Sequence, residues 1–197
     1  MRVKKAPGPD HITVPMLKNS CHKIICQLYY FFKYAFTSSY FPSPCKEAKV
    51  IPILKPGKFS TDPSSFRPIT LLPIVGKIFE RVILFNIENY IEKKNIWINQ
   101  QFGFRANHST IHQVARITQH ITHSFNVRRD TVMILLDLSK AFDTVWHKAL
   151  LFKLSRMGIP YTTLRLLKSY LEERTCYVLF NSHKSIIYNT STGGPPS

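Results

Sequence analysis

The stretch that most constrains this chain begins at Val132. Val132-Met133-Ile134-Leu135-Leu136 is an unbroken apolar run that stops on Asp137 and continues as Leu138-Ser139-Lys140-Ala141-Phe142-Asp143. A run of that length suits a strand buried on both faces. The periodicity then changes: Trp146, Leu150, Leu154 and Met157 fall at helical spacing, and Gly158 and Pro160 end the pattern. A carboxylate at the end of a buried strand, just ahead of a helix, stands where sheets flanked by helices keep their chemistry. Taken alone, Asp137 is equally well read as a turn former, so the rest of the chain has to decide.

Charge narrows the choice. The net charge is +16, and no acid lies between His11 and Lys46 or between Lys93 and Arg129. Such an excess fits polyanionic partners, nucleic acid first and anionic membrane surfaces second. A hydrophobic content of 44% over 197 residues is ample for a packed core, as one domain or as a large piece of a bigger one. Cys21, Cys26, Cys45 and Cys176 form no close CxxC pair and follow no secretory leader, so reduced thiols in an intracellular protein are expected. The apolar region Ile24 to Phe36 is cut by Gln27 and Lys33 and is too short to span a bilayer, so no transmembrane segment is expected, and nucleic acid rather than a membrane is the expected partner.

Lys4 to Asp10 is a turn-rich loop. An amphipathic helix is predicted from Pro15, with Leu17, Cys21, Ile24, Leu28, Phe31 and Ala35 on its apolar stripe. Lys46 to Lys55 reads as a strand in which Pro52 demands an edge or a bulge, followed by the Lys55-Pro56-Gly57-Lys58 turn. Ile74 to Ile91 is predicted helical, with Ile78, Phe79, Val82 and Ile83 facing the core. Thr110 with Gln113 is read as a capping box opening a helix whose stripe is Ile111, Val114, Thr118, Ile121 and Phe125. A helix over Thr162 to Glu172 and a β-hairpin of Cys176–Phe180 with Ile186–Tyr188 complete the chain.

Several chemistries find no support. His108 with His112, and His120 with His123, have helical spacing, but there is no H-E-x-x-H and no third ligand, so zinc is not expected. Neither a G-x-S-x-G elbow nor a Walker P-loop is present. What remains is a strand-end carboxylate among basic loops. Phosphoryl transfer uses a hard divalent ion held by carboxylates, with cations on the triphosphate. Asp137 suits the first function, Lys55 and Arg67 the second. A second carboxylate close in space is still required, and Asp143 on the following helix is expected to point elsewhere.

Five blocks in order give the chain a resemblance. Lys5-Ala6-Pro7-Gly8-Pro9-Asp10 looks like a K-A-P-G-x-D motif, and Ala48 to Lys58 like a first fingers strand and tip. Phe66-Arg67-Pro68-Ile69-Thr70-Leu71-Leu72 resembles a Y/F-R-P-I-S-L block. Gln101-Phe102-Gly103-Phe104-Arg105 with Ser109-Thr110 resembles Q-x-G-F-R-x-x-x-S-T, and Leu136 to Asp143 resembles D-L-x-K-A-F-D. Together, from residue 5 to about 160, the chain resembles the reverse transcriptase domain of non-LTR, LINE-like retrotransposons of the jockey type.

The resemblance implies an α+β fold comprising the fingers (residues 1–130) and the beginning of the palm (131–197) of a right-hand polymerase. It implies an RNA-directed DNA polymerase using Mg2+, an RNA template, a DNA primer and deoxynucleoside triphosphates. The complete element's product would work in the nucleus or in a cytoplasmic ribonucleoprotein; oligomeric state is not implied. Asp137 would be the catalytic metal ligand, assisted by the backbone carbonyl of Leu138. Arg67, with Lys55, would meet the triphosphate, and Phe142 would be the aromatic gate beneath the incoming sugar. Gln101, Gly103 and Arg105 would lie near template or primer.

Two departures temper this expectation. Where the family carries G-x-P-Q-G-S, this chain reads Thr192-Gly193-Gly194-Pro195-Pro196-Ser197, and the Y/F-x-D-D hairpin with the remaining catalytic aspartate is missing. The isolated chain is therefore expected not to polymerise DNA, and the alternative is a catalytically dead relic serving only as a basic nucleic-acid-binding module.

Overall fold

A computed structural model describes residues 6–138, 141 and 144–190. Its elements are mixed α and β, in the order α1 (Val14–Lys18), α2 (His22–Thr37), β1 (Glu47–Leu54), β2 (Phe66–Leu71), α3 (Ile74–Lys93), α4 (Thr110–Asn126), α5 (His147–Arg156), α6 (Tyr161–Leu171), β3 (Arg174–Phe180), β4 (His183–Lys184) and β5 (Tyr188–Thr190). Contacts group them into two units: Met1–Glu88 with Lys140–Ser197, and Asn89–Ser139. This grouping follows packing. The fingers-to-palm boundary expected after residue 130 is a distinction of function.

In the first unit one sheet has the order β2-β1-β3-β4, with β5 also on β3. β1 runs antiparallel to β2 and parallel to β3. The β3 ladder ends at Val50, so Pro52, although in an interior strand, has β2 alone beside it. Its partner across that ladder is Pro68. Neither proline has an N–H to give, and such residues can face each other only where the ladder makes no hydrogen bond between them. The expected hairpin forms more tightly than its apolar runs suggest. Asn181 and Ser182 both take left-handed φ (47° and 65°), as a two-residue type I′ turn requires. His183–Lys184 rather than Ile186–Tyr188 makes the first return pairing. Ser185 then bridges the gap, its amide donating to Val178 O and its hydroxyl accepting from Val178 N, each at 2.9 Å.

The core of this unit joins helices α2, α3 and α6. Phe41, Phe79 and Leu166 are fully buried, with Ala35, Cys45 and Ile83 around them. A smaller cluster of Ala48, Val50 and Cys176 sits on the sheet. Two predicted helices need correction. The helix foreseen from Pro15 is broken: α1 ends with Asn19 as its C-cap, the Ser20 hydroxyl donates to Leu17 O at 2.7 Å, and α2 starts afresh after Cys21. Asn and Ser compete with the helix for backbone groups, and that local competition outweighs the apolar spacing. The inward face of α2 consequently holds Phe32, Ala35 and Phe36, whereas Ile24 and Phe31 are exposed. On α3, Phe79 and Ile83 are buried but Val82 is exposed.

In the second unit, α4 is capped by Ser109, not Thr110: the Ser109 hydroxyl accepts from His112 N at 3.3 Å. The predicted stripe is largely uncovered, Ile111, Val114 and Phe125 being exposed. The largest correction concerns Val132 to Leu136. These residues belong to no strand and are exposed, Leu136 at 92%. A strand is made by hydrogen bonds to a neighbour, and no described residue pairs with this segment. Its apolar content therefore remains unburied.

Candidate active site

The opening loop and the Phe66–Leu72 block meet in the first unit. Gly8 is buried, and a β-carbon there would lie 2.5 Å from Leu72 C and from Pro73 N. Backbone rests on backbone, so the glycine of the K-A-P-G-x-D motif is required by close approach. The loop turns immediately afterwards, with His11 N donating to Gly8 O at 3.2 Å and the Asp10 carboxylate accepting from Ile12 N at 3.3 Å.

The β1–β2 hairpin carries Lys55 and Arg67. Arg67 is exposed and faces Ile53 across the ladder; Lys55, two positions beyond Ile53, falls on the same side. Lys55 is not idle: its Nζ donates to Ser64 O at 2.7 Å, and its amide donates to Ser65 O at 2.9 Å. Gly57 takes φ +71° in the turn. Asp62 caps the next turn, accepting from the Ser64 amide at 2.8 Å and the Ser64 hydroxyl at 2.6 Å. Those two bonds, with the Lys55 charge a smaller influence, hold its carboxyl below the usual carboxylate range. Arg67 is thus presented at the start of β2, beside a loop whose shape is fixed by its own polar groups.

In the second unit, Gln101 and Arg105 look inward to their own loop. Gln101 Nε2 donates to Gly103 O at 2.8 Å. Arg105 lies over the Trp97 ring at 5.4 Å and donates to Ile98 O at 3.4 Å. Arg116 from α4 reaches Asn99 O at 3.2 Å and covers the Phe102 ring at 5.9 Å. Gly103 is exposed. Asp137 and Leu138 are exposed in the segment that follows α4. Phe142 and Asp143 lie outside the described residues. The sites therefore fall in separate units, Arg67 and Lys55 in the first and Gln101, Gly103, Arg105, Asp137 and Leu138 in the second.

Among the described residues no group of three or more His, Cys, Asp or Glu is placed to hold a metal ion. Asp137 and the Leu138 carbonyl are hard oxygen donors of the kind magnesium accepts, but they furnish only part of its octahedral shell. No step through a metal follows from them. No helix of the described residues is long and apolar enough to cross a membrane.

Lys46 is a residue whose placement the sequence did not reveal. It is 3% exposed, with Nζ 3.9 Å from Glu173 Oε2 and 5.7 Å from the centre of the Tyr40 ring. It lines a cavity of about 730 Å3 with Arg165, Lys168 and Glu172, beside the C-terminal ends of α2 and α6. Helix C-termini favour a cation, which suits an ammonium buried in this neighbourhood with a long ion pair to Glu173. A lysine at the head of a strand carries no sequence signal for burial.

The reverse transcriptase (RNA-dependent DNA polymerase) family profile matches residues 53–195, and the chain belongs to that family. It is 38% identical over 191 residues to the probable RNA-directed DNA polymerase from transposon X-element of Drosophila melanogaster, covering 97% of this chain and 21% of the relative. It is 36% identical over 196 residues to the RNA-directed DNA polymerase from mobile element jockey of the same species, covering 98% and 21%. The transposon BS polymerase gives 35% over 184 residues, covering 93% and 20%. The jockey-type, non-LTR character expected from the motif blocks is thereby shown. The chain spans about a fifth of the length of these relatives.

Proposed function

We propose that this chain supplies the fingers (residues 1–130) and the first part of the palm (131–197) of an RNA-directed DNA polymerase, which adds nucleotides to a DNA 3′-hydroxyl while copying RNA. The observation that carries the reading is a single family match containing both Arg67 and Asp137. Asp137, helped by the Leu138 carbonyl, would supply two of the oxygen donors to a magnesium ion, whose charge would offset that on the triphosphate. Arg67 meets the triphosphate, with Lys55 fixing the loop beside it, and Phe142 gates the sugar. Gln101 and Arg105 shape the loop that offers Gly103 to template or primer. The exposure of Asp137 and Arg67 supports roles directed outward, since neither is occupied in packing. A role as a nucleic-acid-binding relic alone has less support, because the relatives above are named as polymerases.

The test is a jockey polymerase in which this segment replaces its aligned counterpart, assayed for labelled nucleotide incorporation on an RNA template with a DNA primer. Incorporation should fall by about a thousandfold or more in Asp137→Ala, the scale on which loss of essential charge stabilisation acts. Equal incorporation by Asp137→Ala and its parent would sink the reading.

A further inference from the structure

The outer face of α2 has no role in the site above. Its inward side is spent on Phe32, Ala35 and Phe36. Opposite them, at helical spacing, stand Lys23, Gln27, Tyr30 and Tyr34, with Lys33 and Tyr29 alongside. Tyr30 and Tyr34 are 66% and 73% exposed. Both lysines are exposed as well. Tyr29 meets Tyr30 edge to face, ring centroids 5.5 Å apart, which steadies the pair without covering it. Tyr30 and Tyr34, one turn apart on this face, and Tyr29 against the Tyr30 ring form an exposed aromatic patch rather than scattered single rings.

Charge decides what the face suits. α2 contains no acid, and none occurs anywhere from His11 to Lys46. Protein–protein interfaces are depleted in lysine, whereas tyrosine rings beside lysines, free of carboxylates, match unpaired bases strung on a phosphate backbone. Rings stack on base faces whatever the sequence, and cations follow the backbone. We propose that the Lys23–Tyr30–Lys33–Tyr34 face of α2 binds single-stranded nucleic acid by base stacking. The proposal rests on the reading of this chain as part of a polymerase acting on nucleic acid, and it adds a second contact surface in the first unit.

The test uses the 197-residue chain and fluorescently labelled oligo(U), oligo(dT) and an RNA duplex of equal length, titrated across a salt series. Tyr30→Ala with Tyr34→Ala should weaken single-strand binding about tenfold or more while sparing the duplex, whose bases are already stacked. Tyr30→Phe with Tyr34→Phe should bind as the parent does, because the ring and not the hydroxyl is used. Lys23→Gln with Lys33→Gln should flatten the logarithmic salt slope by about 1.4, two phosphates' worth on a single strand. Comparing oligo(U) with oligo(dT) tells whether the strand is RNA or DNA. Photocrosslinks from 4-thiouridine should map to the peptide containing Tyr30 and Tyr34.

Parent-like binding by the double alanine variant, with an unchanged circular dichroism spectrum, would overturn the proposal. So would equal losses on single strand and duplex, or a Tyr-dependent self-association seen by light scattering without any change in RNA affinity. In each case the Asp137-dependent incorporation assay is untouched, so the failure of this site and of the polymerase reading are separable.

Discussion

Phe32 of α2 and Phe79 of α3 lie with ring centroids 5.1 Å apart and planes 1° from parallel, and Phe41 stacks on the same Phe79 ring at 5.4 Å. Phe79 is fully buried and is the ring that the two others share. Phe79→Ala should therefore cost about 3–5 kcal/mol, transfer and cavity terms together, read as a shift in urea midpoint. Phe59→Ala, at an 84% exposed site, should stay within about 0.5 kcal/mol.

Gly8 offers a sharper test of how the opening loop is held. With Leu72 and Pro73 backbone atoms 2.5 Å from where a methyl would sit, no side-chain rotation can relieve the clash. Gly8→Ala should lose about 1–3 kcal/mol, as overpacking does, and should expose the loop to proteolysis near Pro7. An unchanged melting temperature would show that loop and strand end are not in contact.

Glu80 and Tyr170 make the stability of the first unit depend on pH. Burial pushes the Glu80 carboxyl above its ordinary 4.5, against the opposing pull of the Tyr170 hydroxyl bond and the Arg174 charge. Burial, with the Glu80 charge, pushes the Tyr170 phenol up to about 12. Because the folded carboxyl keeps its proton longer than the unfolded one, the native state binds more protons just above pH 4.5. Stability should fall as pH rises through that window and level off above the folded value. Glu80→Gln should remove this component, and a urea-midpoint series from pH 4 upward at about half-unit steps checks it. An identical slope in the variant would assign the dependence to another group.

Much of this was legible in the sequence, for reasons that differ by element. α3, α5 and α6 were readable because a helix closes its own hydrogen bonds, so spacing such as Phe79 with Ile83 suffices. The turn at Lys55-Pro56-Gly57-Lys58 was equally local. Val132 to Leu136 misled because a strand needs a second strand, and composition cannot say whether one is within reach. The break at Asn19-Ser20 was hidden by an apolar pattern running through it. For the site, the order of the motif blocks placed Arg67 and Asp137 in the right family, but it could not show that Lys55 is tied to Ser64, that Gln101 is tied to Gly103, or that Lys46 is buried.

The parallel ladder between β1 and β3 has a temporal consequence. Lys49 pairs with Tyr177, so this ladder cannot form until the long intervening segment, which includes α3 to α6, has left the ribosome. Until then the Ala48 and Val50 side of β1 has no β3 beside it, while the β2 side can close at once through a short loop. Closing long loops late slows folding and prolongs the life of an open strand edge. During synthesis the β1–β2 hairpin is thus the species that needs shielding, and a chaperone that holds it until Tyr177 emerges would raise the yield of folded chain.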